Sequence, residues 1–186
     1  MKQKSFNFIS TGASGLYLDQ VVLKNKDGKI TMAKPPKKRT GDPHPKTLAA
    51  QQRMQQAFVY GELVLTNPVK KAVYEDAIGS RKNIYKLAVT DFLNAPQIRA
   101  VDNIDYTGSP DGRLMVLATD DVKVATVTFE LFDASGTLIE GGPAMPMERS
   151  GWWYTATKEN PSLTGTRVVI SATDLPGNTT VHEHTL

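Results

Sequence analysis

The stretch Lys34-Pro35-Pro36-Lys37-Lys38-Arg39-Thr40-Gly41-Asp42-Pro43-His44-Pro45 can be neither helix nor central strand, because its prolines lack a backbone N–H and fix φ. It reads as a stiff, basic linker that divides the chain early. The N-terminal side of this break is short, so the C-terminal side must hold the cores. Hydrophobic residues make up 40% of the 186 positions, enough to build them.

Charge follows the same division. Residues 1–46 carry ten Lys/Arg against three Asp/Glu, residues 47–95 six against four, and residues 96–186 six against twelve. A chain basic at one end and acidic at the other can attract its own copies head to tail or present the basic end to an anionic partner. The chain has no cysteine, which excludes disulfides, thiolate metal sites and cysteine nucleophiles. The opening MKQKSFNFISTGASG lacks the apolar core of a secretory signal, and no run is apolar enough to span a membrane, so synthesis in the cytoplasm without a cleaved leader or membrane insertion is expected, with the final location, including export or assembly by another route, left open.

Residues 1–46 read as an extended arm. Phe6 and Phe8 alternate with polar residues, and Asn25-Lys26-Asp27-Gly28 turns one strand (Gln20 to Asn25) into another (Lys29 to Ala33). The apolar set of this hairpin is small: Val21, Val22, Leu23, Ile30 and Met32. An isolated two-stranded hairpin is marginal in water, so it should lean on something else.

Residues 47–95 read as three helices. The first runs from Thr47 to about Thr66 and places Leu48, Met54, Phe58, Gly61 and Leu65 near one face. Asn67-Pro68 announces the second as N-cap and first-turn proline, and groups Val69, Ala72 and Val73. The third, from about Lys82 to Leu93, should bury Ile84, Leu87, Ala88 and Phe92, with Pro96 closing it. Three short helices on some fifty residues need a further cover, which the hairpin or another subunit would supply.

Residues 96–186 read as seven short strands: Gln97 to Ile104, Arg113 to Ala118, Val124 to Phe132, Thr137 to Glu140, Trp152 to Thr157, Arg167 to Thr173 and Thr179 to His184. At least one of Trp152 and Trp153 should enter the core. The turn segments ATDD (Ala118 to Asp121) and DASG (Asp133 to Gly136), the strand GWWYTAT and the closing ATDLPGN resemble bacterial immunoglobulin-like domains of the adhesin type. That resemblance implies a C-terminal immunoglobulin-like β-sandwich that holds, binds or spaces things; with the β-hairpin arm and small helical segment read above, an α+β chain is expected. The N-terminal half resembles uncharacterised bacterial proteins with a Gly-rich strand, a basic hairpin and a Pro/Lys linker, which implies no activity.

In such a sandwich the turn holding Asp120 and Asp121 and the turn holding Asp174 and Asn178 share one pole. Four oxygen-bearing side chains there would suit calcium, although Asp and Asn also form turns in their own right. No other cofactor is expected. His182 and His184 share a strand face without an evident third ligand, and His44 has no group to orient it as a base. No nucleophile elbow, phosphate loop or dinucleotide fingerprint occurs, so the chain is not expected to be an enzyme. The cluster Lys34, Lys37, Lys38 and Arg39 could meet phosphates, but Phe6, Phe8 and Tyr17 are not interleaved with it, which argues against nucleic acid.

The expected function is a structural subunit that self-assembles, as a filament, tube or similar body. Its arm, with Phe6, Phe8, Val21, Leu23, Ile30, Met32, Lys37, Lys38 and Arg39, would engage a neighbouring copy through strand addition. The alternative is a monomeric adhesin-like module that recognises carbohydrate or protein through the sandwich loops.

Overall fold

The computed structural model describes residues 14–18, 20–26, 29–37, 41–79 and 83–186. Among them the protein is mixed α+β, with three helices and eleven strands in three antiparallel sheets. The chain divides into two compact units, Met1–His44 and Pro45–Leu186.

The first unit is a three-stranded meander of β1 (Gly15–Tyr17), β2 (Val21–Lys26) and β3 (Lys29–Ala33). A hairpin of two strands was expected; β1 adds a third by pairing Gly15 with Leu23 and Leu16 with Val22. Leu23 pairs with Met32 and Asn25 with Ile30, so Val21, Leu23, Ile30 and Met32 fall on one face. Lys24, Lys26 and Lys29 fall on the other. None of the side chains described in this unit is buried.

The second unit opens with α1 (Pro45–Thr66), α2 (Pro68–Ala77) and α3 (Ile84–Leu93). Asn67 caps α2, its Oδ1 accepting from the N–H groups of Val69 and Lys70 at 3.0 and 3.1 Å. Asn83 caps α3 through Lys86 N–H at 2.9 Å. At Gly61 a Cβ would stand 2.8 Å from the Tyr85 ring, so glycine lets α1 and α3 close on each other there.

Of the face that the apolar spacing of α1 suggests, only Gly61 is buried. Ala57, Gly61 and Val64 are buried, while Leu48, Met54, Phe58 and Leu65 are exposed. Close approach to α3 selects the small residues, because large side chains would hold the helices apart. In α2 only Tyr74 is buried and Val69 is exposed; in α3 the buried set is Leu87, Ala88 and Asp91, with Ile84 and Phe92 half-buried.

The remaining strands are β4 (Gln97–Asp102), β5 (Arg113–Thr119), β6 (Val124–Phe132), β7 (Leu138–Pro143), β8 (Met145–Pro146), β9 (Gly151–Thr155), β10 (Arg167–Asp174) and β11 (Thr179–Thr185). Eight strands stand where seven were expected, because the two-residue β8 pairs with β9 and is too short to read as a periodic run. They form two four-stranded sheets, β4-β5-β9-β8 and β11-β10-β6-β7.

Alternation along the strands builds one core from both sheets. Leu114, Val116 and Ala118 of β5 and Trp152 and Tyr154 of β9 join Val127, Phe129 and Leu131 of β6 and Val168, Ile170 and Ala172 of β10. Phe129 and Tyr154 stack across the sheets at 5.5 Å between ring centroids. Trp152 is buried, and Trp153 turns outward, where the Arg113 guanidinium lies 4.4 Å from its ring centre.

Candidate functional site

The densest polar cluster lies where the helices meet one pole of the two sheets. It is built on the turn between β10 and β11. Asp174 Oδ1 accepts from the backbone N–H groups of Gly177 and Asn178 at 2.8 and 2.6 Å, and Gly177 takes a φ of 100° that favours glycine. This fixes the Asn178 side chain against the C-terminal end of α3. Its Nδ2 donates to the carbonyls of Asp91, Phe92 and Asn94 at 3.3, 3.2 and 2.8 Å and to Asp174 Oδ2 at 2.7 Å. Its Oδ1 accepts from Arg53 of α1 at 3.0 Å. Thr180 Oγ1 adds a 2.6 Å bond to the Pro96 carbonyl.

Beneath this clamp is Asp91, fully buried on α3. Its Oδ2 accepts a hydrogen bond from Tyr74 of α2, whose hydroxyl lies 3.0 Å from that of Tyr60 of α1. Oδ1 of Asp91 and Oδ1 of Asp120 are buried without a geometric donor among the described residues. Two carboxylates cannot satisfy each other, whereas one shared proton lets Asp120 and Asp91 hydrogen-bond. Burial first, and then the contact with Asp120 and the charge of Asp174, push the Asp91 carboxyl up to about 8, against the lowering effect of Tyr74. Asp174 is raised too, chiefly by burial, although its hydrogen bonds to Asn178 and Gly177 pull the other way. Burial and the bond to Asp91 raise Tyr74 far above the ordinary tyrosine value.

Apolar contacts surround these groups. Val64, Tyr74, Leu87 and Ala88 of the helices form a small core that Val122 and Leu175, from the two pole turns, partly cover. The cover expected from the hairpin or another subunit thus comes in part from the sheets' own turns. The Tyr60 ring packs 5.5 Å from Phe92 and 6.4 Å from Tyr74.

The two turns that sequence reasoning placed at one pole do meet there. The four oxygens proposed for calcium do not converge: Asn178 offers its amide nitrogen inward and its oxygen to Arg53, as three neighbouring carbonyls require. Asp121 accepts from Asn94 Nδ2 at 2.6 Å and lines an open cleft with Gln97, Arg99, Thr119 and Asp120. Among the described residues no three carboxylate or imidazole side chains are arranged to hold a metal ion. His182 and His184 stand on β11, opposite Ile170 and Val168.

Of the arm residues, Val21, Leu23 and Ile30 are half-buried and Met32 and Lys37 exposed. Phe6, Phe8, Lys38 and Arg39 lie outside the described residues. Sequence reasoning missed Asp91, Tyr74 and Arg53. The signal for Asp91 was available, since it lies three and four residues beyond Ala88 and Leu87 on the buried face of α3.

A third buried carboxylate, Glu140 of β7, works within the sandwich. Its Oε2 accepts from Tyr154 Oη, Thr157 N, Thr157 Oγ1 and Lys158 N at 2.7 to 3.2 Å, tying β7 to the segment after β9. Both carboxylate sites join structural elements and thereby hold shape. No family model matches the chain, and comparison with curated proteins finds no match.

Proposed function

We propose that the protein is a non-enzymatic structural subunit that assembles with its own copies through the N-terminal sheet and displays an immunoglobulin-like domain. The observation that carries this reading is the first unit itself. It holds three short strands that set Val21, Leu23, Ile30 and Met32 on one face and bury no side chain among those described, and a unit so small gains little stability from its own burial. Among the described residues its edges are β1 and β3, the positions at which strand addition would take place.

The immunoglobulin-like assignment draws support from strand order. In chain order the eight strands take the positions A, B, C, C′, D, E, F and G, so that β4-β5-β9-β8 corresponds to an ABED sheet and β11-β10-β6-β7 to GFCC′. The clamps at Asp174, Asn178 and Glu140 suit a rigid displayed body.

Light scattering across a range of protein concentrations, with electron microscopy of the concentrated sample, tests the reading. Growth in mass with concentration, lost on deleting residues 1–44 while the remainder still melts cooperatively, is the expected result. A full chain that stays monomeric at every concentration overturns it and favours the adhesin-like module.

A further inference from the structure

Asp91 of α3 meets Asp120, in the turn between β5 and β6, across the seam where the helices join the sheets. The Oδ1 atom of each is buried and receives no bond from an N–H or O–H group among the described residues. The other oxygens are occupied, Asp91 Oδ2 by the Tyr74 hydroxyl and Asp120 Oδ2 by Val122 N–H at 3.4 Å. A proton on one of the two carboxyls is what satisfies both remaining atoms.

The surrounding groups cannot replace that proton. From α1 and α2 come Tyr60 and Tyr74, both kept neutral by burial, and from the turn between β10 and β11 comes Asp174, a third carboxyl group. The Arg53 guanidinium is held by Asn178 Oδ1 and the carbonyls of Phe92 and Leu93. Among the described residues no Lys, Arg or His pairs with Asp91 or Asp120. If both carboxyls ionise, two like charges stand in contact away from water.

The two sides of the seam each have a core of their own, Val64, Tyr74, Leu87 and Ala88 among the helices and the larger set around Phe129 and Trp152 between the sheets. The chain crosses from one side to the other once, through Asn94-Ala95-Pro96. The bonds of Asn178 to Arg53 and Asn94, and of Asn94 to Asp121, lie at the exposed rim. The carboxyl pair lies inside it, so its repulsion acts between the two layers and within neither.

We propose that the proton shared by Asp91 and Asp120 is a latch: while it is held the helices stay docked on the sheets, and its loss in alkali releases α1, α2 and α3 from a sandwich whose core stays packed. The sign follows from the docked state holding the proton more tightly than the open one, so docking is lost as pH rises through the docked-state value of Asp91, about 8. The release is reversible, because nothing but a proton has left.

The absence of native cysteine allows pairs of spin labels to be placed cleanly. In the full-length chain, Val59→Cys of α1 with Val181→Cys of β11 spans the seam, and Leu138→Cys of β7 with Val181→Cys stays within one sheet; all three positions are exposed. Labelled protein is diluted with unlabelled protein, and distances are measured by pulsed electron paramagnetic resonance from pH 6 to pH 9.5. The seam pair should be narrow at pH 6, gain a broad component with a midpoint near pH 8 and narrow again on return to pH 6, while the sheet pair stays narrow throughout. With Asp91→Asn, whose amide cannot ionise, the seam pair should stay narrow at pH 9.5. Asp120→Asn, whose amide can donate to the Asp91 carboxylate, should do the same and serves if the first variant does not fold. A seam pair that stays narrow in the parent at pH 9.5 overturns the latch. So does broadening of both pairs together, which is unfolding, or broadening that persists in the folded Asn variants.

Discussion

The side-chain amide of Asn178 donates to the backbone carbonyl of Asn94 at 2.8 Å, joining the last sheet turn to the end of α3. The same nitrogen reaches two further helix carbonyls, so one side chain satisfies the end of a helix that has no basic residue in its last turn.

Asn178→Ala should therefore cost about 0.5–1.5 kcal/mol, since it removes hydrogen bonds at a part-exposed helix end. Asn178→Asp should cost more, because it sets a carboxylate oxygen against those carbonyls and Asp174. Chemical denaturation of the two variants beside the parent measures both losses. Equal stability of all three would show that the clamp contributes nothing.

The buried acid predicts a pH dependence of definite sign. Asp91 keeps its proton in the folded protein up to about 8, against an ordinary value of 3.8. Between those values the folded state holds a proton that the unfolded chain has lost, so stability falls as pH rises and levels off above the window. The melting temperature should thus be lower at pH 8.5 than at pH 5. The difference should shrink in Asp91→Asn, which mimics the protonated acid. A variant with the parent's full pH slope would place the titration elsewhere.

The adjacent tryptophans should respond unequally. Trp152→Ala empties the centre of the sandwich core and should cost about 3 to 5 kcal/mol. Trp153→Ala removes an outward ring stacked by Arg113 and should cost about 1 kcal/mol or less. Urea midpoints of the two variants decide the matter, and a reversed order would mean that Trp153, not Trp152, fills the core.

Removing the helices should weaken the sandwich. A fragment of residues 45–186 should melt above one of residues 96–186, because the shorter piece exposes Val122 and Leu175 and frees the Asn178 clamp. Calorimetry on both fragments gives the comparison. Identical melting temperatures would make the two layers independent.

Much of this architecture was legible in local sequence. Asn67-Pro68 starts α2, and Asp174 to Asn178 form a turn, because each acts through φ or through bonds to its nearest neighbours. Alternation in Val127, Phe129 and Leu131 assigned the inner face of β6 for the same reason. Which face α1 buries was decided by tertiary packing: Gly61 is buried as its spacing with Leu48, Met54, Phe58 and Leu65 suggests, but those four are exposed, and Ala57 and Val64 are buried beside Gly61, where α3 approaches. Tertiary structure also decided what Asp120, Asp174 and Asn178 do. Their types suit an ion equally well, and the nearby carbonyls of Asp91, Phe92 and Asn94, distant in sequence, turn the Asn178 nitrogen inward and make the pole a clamp. Long-range neighbours set the environment of a buried polar group, and that environment determines both its protonation and its role.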